Sequence, residues 1–366
     1  MDNKIKNIIT CCVFFVMIGG FMVYSMILPD TDLSKSERRK LEKLPKISVE
    51  KVMDGSYLTK FERYAQEQFP FRDNFRGLKS FVALDMFKKQ DNNNLFVKDG
   101  AIYRLEYPLN EKSVSKAAYK FNTIYDMYLN DSNKCYYAVI PDKSYFTAKD
   151  KLYMDYDKLE SILQENVKNM EYINLFDVLS ENDYYATDSH WKQENLQKVV
   201  NTLGDKMGFK PANFEDYTLN TAGRFNGVYH GQLSMNIKSD RLNYLTNNVL
   251  ENATVYNHEA GKEMPVYTLE KYKTDVDPYN IFLNGPITMV TLTNNMAQTD
   301  KELIIFRDSF SSSISPMLLE SYKSVTLIDL RYIAASLLKD KVDFENKDIL
   351  FMYSTTILNN STSLKL

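Results

Sequence analysis

Cysteine is nearly absent from this chain, and its placement excludes two common chemistries. Cys11 and Cys12 sit side by side in an apolar N-terminal run, which leaves Cys135 alone in the remainder, so neither a disulfide framework nor metal-ligand spacing is available. No Cys-x-x-Cys, His-Glu-x-x-His, Gly-x-Gly-x-x-Gly or Walker-type loop occurs, so no metal and no cofactor is implied. An excess of charge is also missing: Lys+Arg 45 stand against Asp+Glu 48, interspersed, which argues against a nucleic-acid partner needing a concentrated basic face. Histidine (3) and tryptophan (1) are scarce enough that their positions carry weight. At 366 residues the chain can bury a large core, and its many Tyr (26) and Phe (21) suit packed sheets.

One long hydrophobic run is present. Ile8 to Leu28 is predominantly apolar and without charge, long enough to cross a bilayer as one helix. Lys4 and Lys6 before it favour an exported orientation, although Asp2 dilutes the bias and Lys35, Arg38, Arg39 and Lys40 follow. No Ala-x-Ala cleavage site follows, so residues 1–30 read as an uncleaved signal anchor and the expected location is the cell membrane, single-pass, with the remainder outside the cytoplasm. Residues 31–90 read as a stalk and a helical segment. The charged run Ser34 to Leu44 looks nearly featureless, and Val52 to Phe87 reads as helices meeting at the corner Phe69-Pro70-Phe71-Arg72-Asp73, where Arg72 and Asp73 pair or cap.

Residues 91–366 read as one α/β domain. The expected elements are a hairpin over Leu95–Tyr103, a helix over Ser113–Leu129, a strand over Cys135–Ile140, a helix over Tyr156–Lys168, a short strand at Tyr172–Asn174 and a helix over Gln193–Met207 closed by Gly208. About 213–300 reads as an irregular insertion with short strands. The alternation resumes with strand Glu302–Phe306, helix Pro316–Tyr322, strand Ser324–Asp329, helix Ala334–Asp340 and strand Asp348–Tyr353.

Two segments bear chemistry. In extended backbone, residues i and i+2 share a face, so Asp188 can accept the Nδ1 proton of His190 and leave Nε2 free. The same pair also reads as a satisfied polar residue beside a half-buried indole, Trp191. Downstream, Ser309 stands where the strand ending at Phe306 gives way to a helix, a position for a nucleophile beside helix N-terminal amides. Asp308-Ser309 equally reads as a helix cap. His230 and His258 lack an acid two residues before them and are weaker bases. Arg331 and Tyr332 follow a strand at the ligand-binding edge of an open sheet, although Arg331 also reads as the partner of Asp329. Lys143, after Pro141-Asp142, has the same two readings. Trp191 reads as a sugar platform or, preferably, as a wedge that holds His190.

The motifs Asp188-Ser189-His190-Trp191, Phe225-Asn226-Gly227-Val228 and Asp308-Ser309-Phe310 together resemble the SGNH-hydrolase-like DHHW family, relatives of the alginate O-acetylation proteins AlgJ and AlgX. Phe69-Pro70-Phe71-Arg72-Asp73, Ile140-Pro141-Asp142-Lys143 and Ile328-Asp329-Leu330-Arg331-Tyr332 extend the resemblance over most of the chain beyond the apolar run. It implies an α/β fold of the flavodoxin-like SGNH type, a three-layer α/β/α arrangement on a parallel sheet. It further implies an enzyme in which Ser309 attacks an acyl carbonyl, His190 is base and then acid, and Asp188 orients His190. Two positions depart from the family pattern. Ser189 replaces a His and is expected to be harmless, since an i+1 side chain points away. Arg307 stands where many SGNH enzymes have Gly, and is expected to reshape the oxyanion site.

The function implied is O-acetyl transfer to a cell-surface or secreted polysaccharide, with a membrane-bound O-acyltransferase as partner. Only a short segment follows Ser309, so no appended carbohydrate-binding domain is expected. Two alternatives stay open: an acetyl esterase using the same residues, and a non-catalytic glycan-binding or scaffold protein.

Overall fold

The computed structural model describes residues 3–147 and 152–366; Asp2 of the charge balance lies outside them. The chain divides into a smaller unit, residues up to Lys89 with His230–Asn236, and a larger one, Gln90–Tyr229 with Ile237–Leu366.

In the smaller unit the apolar run is a single helix, Asn3–Ile27, with no buried residue, long and apolar enough to cross a membrane. The segment after it has more structure than its featureless charge pattern suggests. Strands β1 (Leu33–Ser34) and β2 (Arg39–Lys40) pair antiparallel. Glu37 between them is gripped by Arg39 at 2.9 Å, Arg72 at 2.7 Å and Arg76 at 3.4 Å. Burial alone would raise the Glu37 pKa, but Arg72, Arg76 and Arg39 outweigh it and hold the carboxylate below its usual range. Arg72 therefore pairs with Glu37; Asp73 lies 4.0 Å from it and pairs with Arg76 at 2.9 Å. The helices Ser56–Glu67 and Arg72–Phe81 flank the expected corner, where Phe71 takes left-handed backbone at φ 56°.

The larger unit is built on an eight-stranded sheet. Its strands are β5 (Lys134–Ile140), β6 (Glu171–Asn174), β9 (Thr254–Asn257), β10 (Lys262–Met264), β11 (Met289–Thr293), β12 (Glu302–Arg307), β13 (Ser324–Ile328) and β14 (Asp348–Ser354). Two hairpins lie outside it: β3 (Leu95–Lys98) with β4 (Ala101–Arg104), and β7 (Thr218–Phe225) with β8 (Asp240–Thr246). The sheet order is β10-β9-β11-β13-β12-β14-β5-β6. β13, β12, β14, β5 and β6 are parallel, while β11 pairs antiparallel with both β13 and β9. The sheet is thus mixed, and the stretch about 213–300, expected as an irregular insertion with short strands, supplies three strands of this sheet. Short strands without a helical crossover leave little periodicity to read.

Both faces are covered because the strands bury alternate residues on each side. Ile349, Phe351 and Tyr353 of β14 join Val114, Phe121 and Ile124 of the helix Glu111–Tyr128. Leu350 and Met352 join Val199, Val200 and Leu203 of the helix Gln197–Met207 on the other face. This gives the three-layer α/β/α architecture.

Three helices differ from expectation. The first turn after Trp191 is a separate 3-10 turn, Gln193–Asn195, before Gln197–Met207. Pro316 lies inside the helix Ser311–Leu318 and does not open it; in so short a helix its missing N–H removes at most one bond. Ala334–Asp340 forms only a 3-10 turn, Ala335–Leu337. Phe351 is fully buried, with its ring 4.6 Å from Phe306 and 4.7 Å from Phe121. Phe351→Ala is expected to lower stability by about 3–5 kcal/mol, read as the shift of the denaturant unfolding transition.

Candidate active site

β12 runs between two parallel neighbours and ends at Arg307, so the next residues emerge at the carboxyl edge of the sheet, where open α/β folds bind ligands. The turn into Ser311–Leu318 is held from inside. Buried Asp308 accepts the backbone N–H of Phe310 at 3.0 Å and that of Ser354 at 2.7 Å, and its own carbonyl accepts from Ser311 at 3.3 Å. Ser309, half-buried, is left at the rim of this turn.

His190 reaches Ser309 from 119 residues away: its Nε2 lies 2.8 Å from Ser309 Oγ. Its Nδ1 lies 2.7 Å from Asp188 Oδ1, and the same oxygen accepts the His190 backbone N–H at 3.1 Å. An ionised Asp188 only accepts, so Nδ1 carries the proton and Nε2 accepts from the Ser309 hydroxyl. The structure therefore brings together Asp188, His190 and Ser309. Ser189 turns back to Asp188 Oδ1 at 3.4 Å. Of the other histidines, His258 donates to or accepts from Thr291 Oγ1 at 2.9 Å beside β9, and His230 lies in the smaller unit.

The loop 184–191 is irregular, so side chains must satisfy its polar groups. Lys143, read from sequence as a groove or pairing residue, is only 3% exposed and does neither. Its ammonium donates to the carbonyls of Tyr185 (2.8 Å), Ala186 (3.1 Å) and Asp188 (3.1 Å), filling all three donor positions. The rings of Tyr103 and Tyr229, 4.9 and 5.5 Å from Nζ, add cation–π contact. Burial pushes the ammonium down to about 7, opposed by Asp188, Asp240 and Glu181.

From the other side Asp240 of β8 accepts the N–H groups of Ala186 (2.9 Å) and Thr187 (2.8 Å) and the Thr187 hydroxyl (2.6 Å). The Phe225-Asn226-Gly227-Val228 motif closes the clamp. Val228 N–H donates to Asp188 Oδ2 at 2.7 Å and Gly227 N–H to Thr187 Oγ1 at 2.9 Å. A Cβ on Gly227 would stand 2.3 Å from both the Asp188 Cβ and the Thr187 carbonyl oxygen, so only glycine permits this approach.

Trp191 is fully buried, and its Nε1 donates to Phe310 O (3.1 Å) and Ser313 Oγ (2.9 Å) while its ring meets Phe310 edge-on. It ties the His190 loop to the helix that follows Ser309, the wedge role, and offers no open face to a sugar. Tyr279 stacks on the imidazole at 4.0 Å and 13° and donates to Ser313 Oγ at 2.9 Å.

Arg307 and Arg331 form a buried cluster on Asp329. Arg331 donates to it in bidentate fashion at 2.9 and 2.6 Å, which keeps its guanidinium charged beyond the usual range despite burial. Arg307, 1% exposed, donates to Ser312 Oγ at 3.1 Å and Ile287 O at 3.3 Å and lies 3.9 Å from Asp329. Tyr332 is half exposed beneath the Arg331 guanidinium.

Asp240 and Tyr279 were missed from sequence, since nothing local marks a contact made across 50 to 90 residues of chain. Gly227 had a signal, its place in an Asn-Gly motif, but the signal did not disclose its neighbour.

No protein-family model matches the sequence, and no curated protein matches it. Solved structures do. A DHHW family protein from Eubacterium siraeum superposes with TM-score 0.58 and 17% identity over 75% of this chain and 94% of that one. Bacillus cereus PatB1 gives TM-score 0.58 and 18% identity over 73% and 97%, and a second PatB1 structure carries a sulfonyl adduct. The O-acetyltransferase domain of Pseudomonas putida AlgJ aligns more loosely, with TM-score 0.45 and 9% identity over 73% and 93%.

Two outcomes check the clamp. Gly227→Ala is expected to cost about 1–3 kcal/mol, measured by thermal or chemical unfolding. Between about pH 7 and 10.5, the unfolded chain keeps a proton on Lys143 that the native protein has released, so stability rises with pH across that window. Lys143→Met lacks this slope, and the stability difference between wild type and variant should widen from neutral to alkaline pH. These residues stand on the fold shared by a DHHW family protein and PatB1, and that is the fold of this chain.

Proposed function

We propose that this protein is a membrane-anchored O-acetyltransferase that works outside the cytoplasm on a cell-surface or secreted polysaccharide, through an acetyl-Ser309 intermediate. One observation carries the reading: the continuous line from Asp188 Oδ1 to His190 Nδ1 at 2.7 Å and from Nε2 to Ser309 Oγ at 2.8 Å. The apolar helix Asn3–Ile27 supports the location.

In the first half-reaction, His190 Nε2 takes the Ser309 proton as Oγ bonds to the acetyl carbonyl carbon of an activated donor. The imidazolium then gives that proton to the departing donor group as its bond to carbon breaks. In the second half, a sugar hydroxyl loses its proton to Nε2 and attacks the acetyl-serine. The Ser309–acyl bond breaks, and the proton returns to Oγ. Asp188, buried and held by Val228 N–H, keeps the imidazole in the tautomer that both halves require and stabilises the transient cation. Stacked Tyr279 and edge-tied Trp191 restrict the ring and loop motion that would lengthen the Ser309 contact.

Ser309→Ala should abolish labelling by a sulfonyl fluoride and reduce acetyl transfer by at least about 10³-fold, and Asp188→Asn by roughly 10²–10⁴-fold, with folding retained. Undiminished labelling or transfer in Ser309→Ala would sink the mechanism. Removing the protein from its native cell should lower acetylation of the surface glycan. A rise instead would assign hydrolysis, because water and a sugar hydroxyl compete for the same acyl-serine.

A further inference from the structure

The smaller unit presents an apolar surface that the catalytic reading leaves without a role. The helices Ser56–Glu67 and Arg72–Phe81 form amphipathic stripes, with Leu58, Phe61 and Ala65 on the first and Phe71, Phe75 and Leu78 on the second. The large residues of these stripes are exposed, Leu58 by 62% and Phe71 by 60%. A contiguous stripe of this kind on a folded chain marks an interaction surface. The opposite faces carry charge, with Arg63 on the first helix and Asp73 on the second, while Arg76 turns inward to Glu37.

What covers this surface follows from where it is attached. The corner between the two helices packs on the last turns of Asn3–Ile27. Phe21 stacks on Phe69 at 5.6 Å and meets Phe75 edge-on at 6.0 Å, and Tyr24 stacks on Phe71 at 6.0 Å. At 1.5 Å per residue, Phe21 lies about 9 Å and Tyr24 about 5 Å inside the helix end at Ile27. A hydrocarbon layer about 30 Å thick takes up the whole run from Ile8 to Leu28. Side chains in contact with Phe21 and Tyr24 therefore lie at the depth of the acyl chains and the headgroup boundary, not in bulk water. The mixture of Phe and Tyr with charged outer faces suits that boundary.

We propose that residues 56–87 form an interfacial membrane-binding hairpin, its stripe of Leu58, Phe61, Phe71, Phe75 and Leu78 seated among lipid acyl chains beside the end of Asn3–Ile27. The proposal rests on the reading of Asn3–Ile27 as a membrane-spanning anchor. Lipid contact gives the chain a second hold on the bilayer, so the anchor is a helix with an interfacial collar and not a single tether on a flexible stalk.

The test uses the full chain in phosphatidylcholine vesicles, with its only native tryptophan, the buried Trp191, as background. Single tryptophans are introduced as Phe61→Trp and Phe75→Trp on the stripe, Arg63→Trp on the charged face and Val16→Trp in the anchor. Lipids brominated near the headgroup end of the acyl chain are the quencher. The stripe positions should lose emission at least about two-fold more than Arg63→Trp, and Val16→Trp should be quenched by lipids brominated near the chain terminus. Quenching at Val16→Trp with none at either stripe position would overturn the hairpin while leaving the anchor in place. No quenching at Val16→Trp would overturn the anchor, and the hairpin with it. A second measurement covers any tryptophan variant that fails to fold: in a background with Cys11, Cys12 and Cys135 replaced by alanine, Leu58→Cys and Leu78→Cys should resist a membrane-impermeant maleimide in vesicles and react after detergent is added, and equal reaction in both would also overturn the hairpin.

Discussion

The three hydrogen bonds from the Lys143 ammonium to the carbonyls of Tyr185, Ala186 and Asp188 are the contact on which the candidate site depends. A loop without regular structure can be buried only if its polar groups find partners, and the loop 184–191 finds them in the Lys143 ammonium on one side, the Asp240 carboxylate on the other, and the backbone N–H groups of Ile102 and Tyr229, which donate to the carbonyls of Ala186 and Thr187. Between these two charges the backbone has little freedom. Asp188 is set at a fixed angle to His190 by its own backbone contacts, and Gly227 and Val228 close over it. The cost is the burial of an amine, which pushes its pKa down and is opposed by the carboxylates of Asp188, Asp240 and Glu181 and by the face of Tyr103.

The second half of the site has a different source of rigidity. Ser309 follows a strand flanked on both sides by parallel neighbours, and Asp308 ties the turn to Phe310 and to the end of β14. The two halves share no secondary structure. Trp191 and Tyr279 join them through Ser313, and the Nε2–Oγ separation is set by packing of buried rings, not by the hydrogen bond alone. Arg307, a large side chain at the sheet edge, is drawn into the Asp329–Arg331 cluster and to Ser312, so its bulk is taken up inside the edge.

What could be read beforehand follows from how local each feature is. The Asp188–His190 relation is a two-residue spacing, and Ser309 is marked by a strand-to-helix change, so both were visible in the sequence. The alternating residues of β5, β12 and β14 were equally plain, since runs buried on both faces are nearly continuous in apolar residues. For β9, β10 and β11 only short strands in an insertion could be expected, not their place in this sheet, because their pairing is antiparallel and joined by turns with no helical period between them. Lys143 was visible as a residue but not in its role. A lysine that caps a loop 42 residues downstream carries no mark that separates it from one that lines a groove. Asp240 and Tyr279 had no local signal at all, being specified only by the closed fold. In the smaller unit, Glu37 looked like one more charge in a mixed run, and only the return of Arg72 and Arg76 to it shows that the run is folded.

The proposed reaction requires that Ser309 take up the acyl group through His190. Brief exposure of the protein to an activated acetyl ester, acid quench and peptide mass analysis would test this directly. The result expected is an acetyl group on the peptide containing Ser309 in the wild type, and its loss in a His190→Ala variant that remains folded. An acetyl group on any other residue, or equal acetylation of Ser309 without His190, would contradict the account.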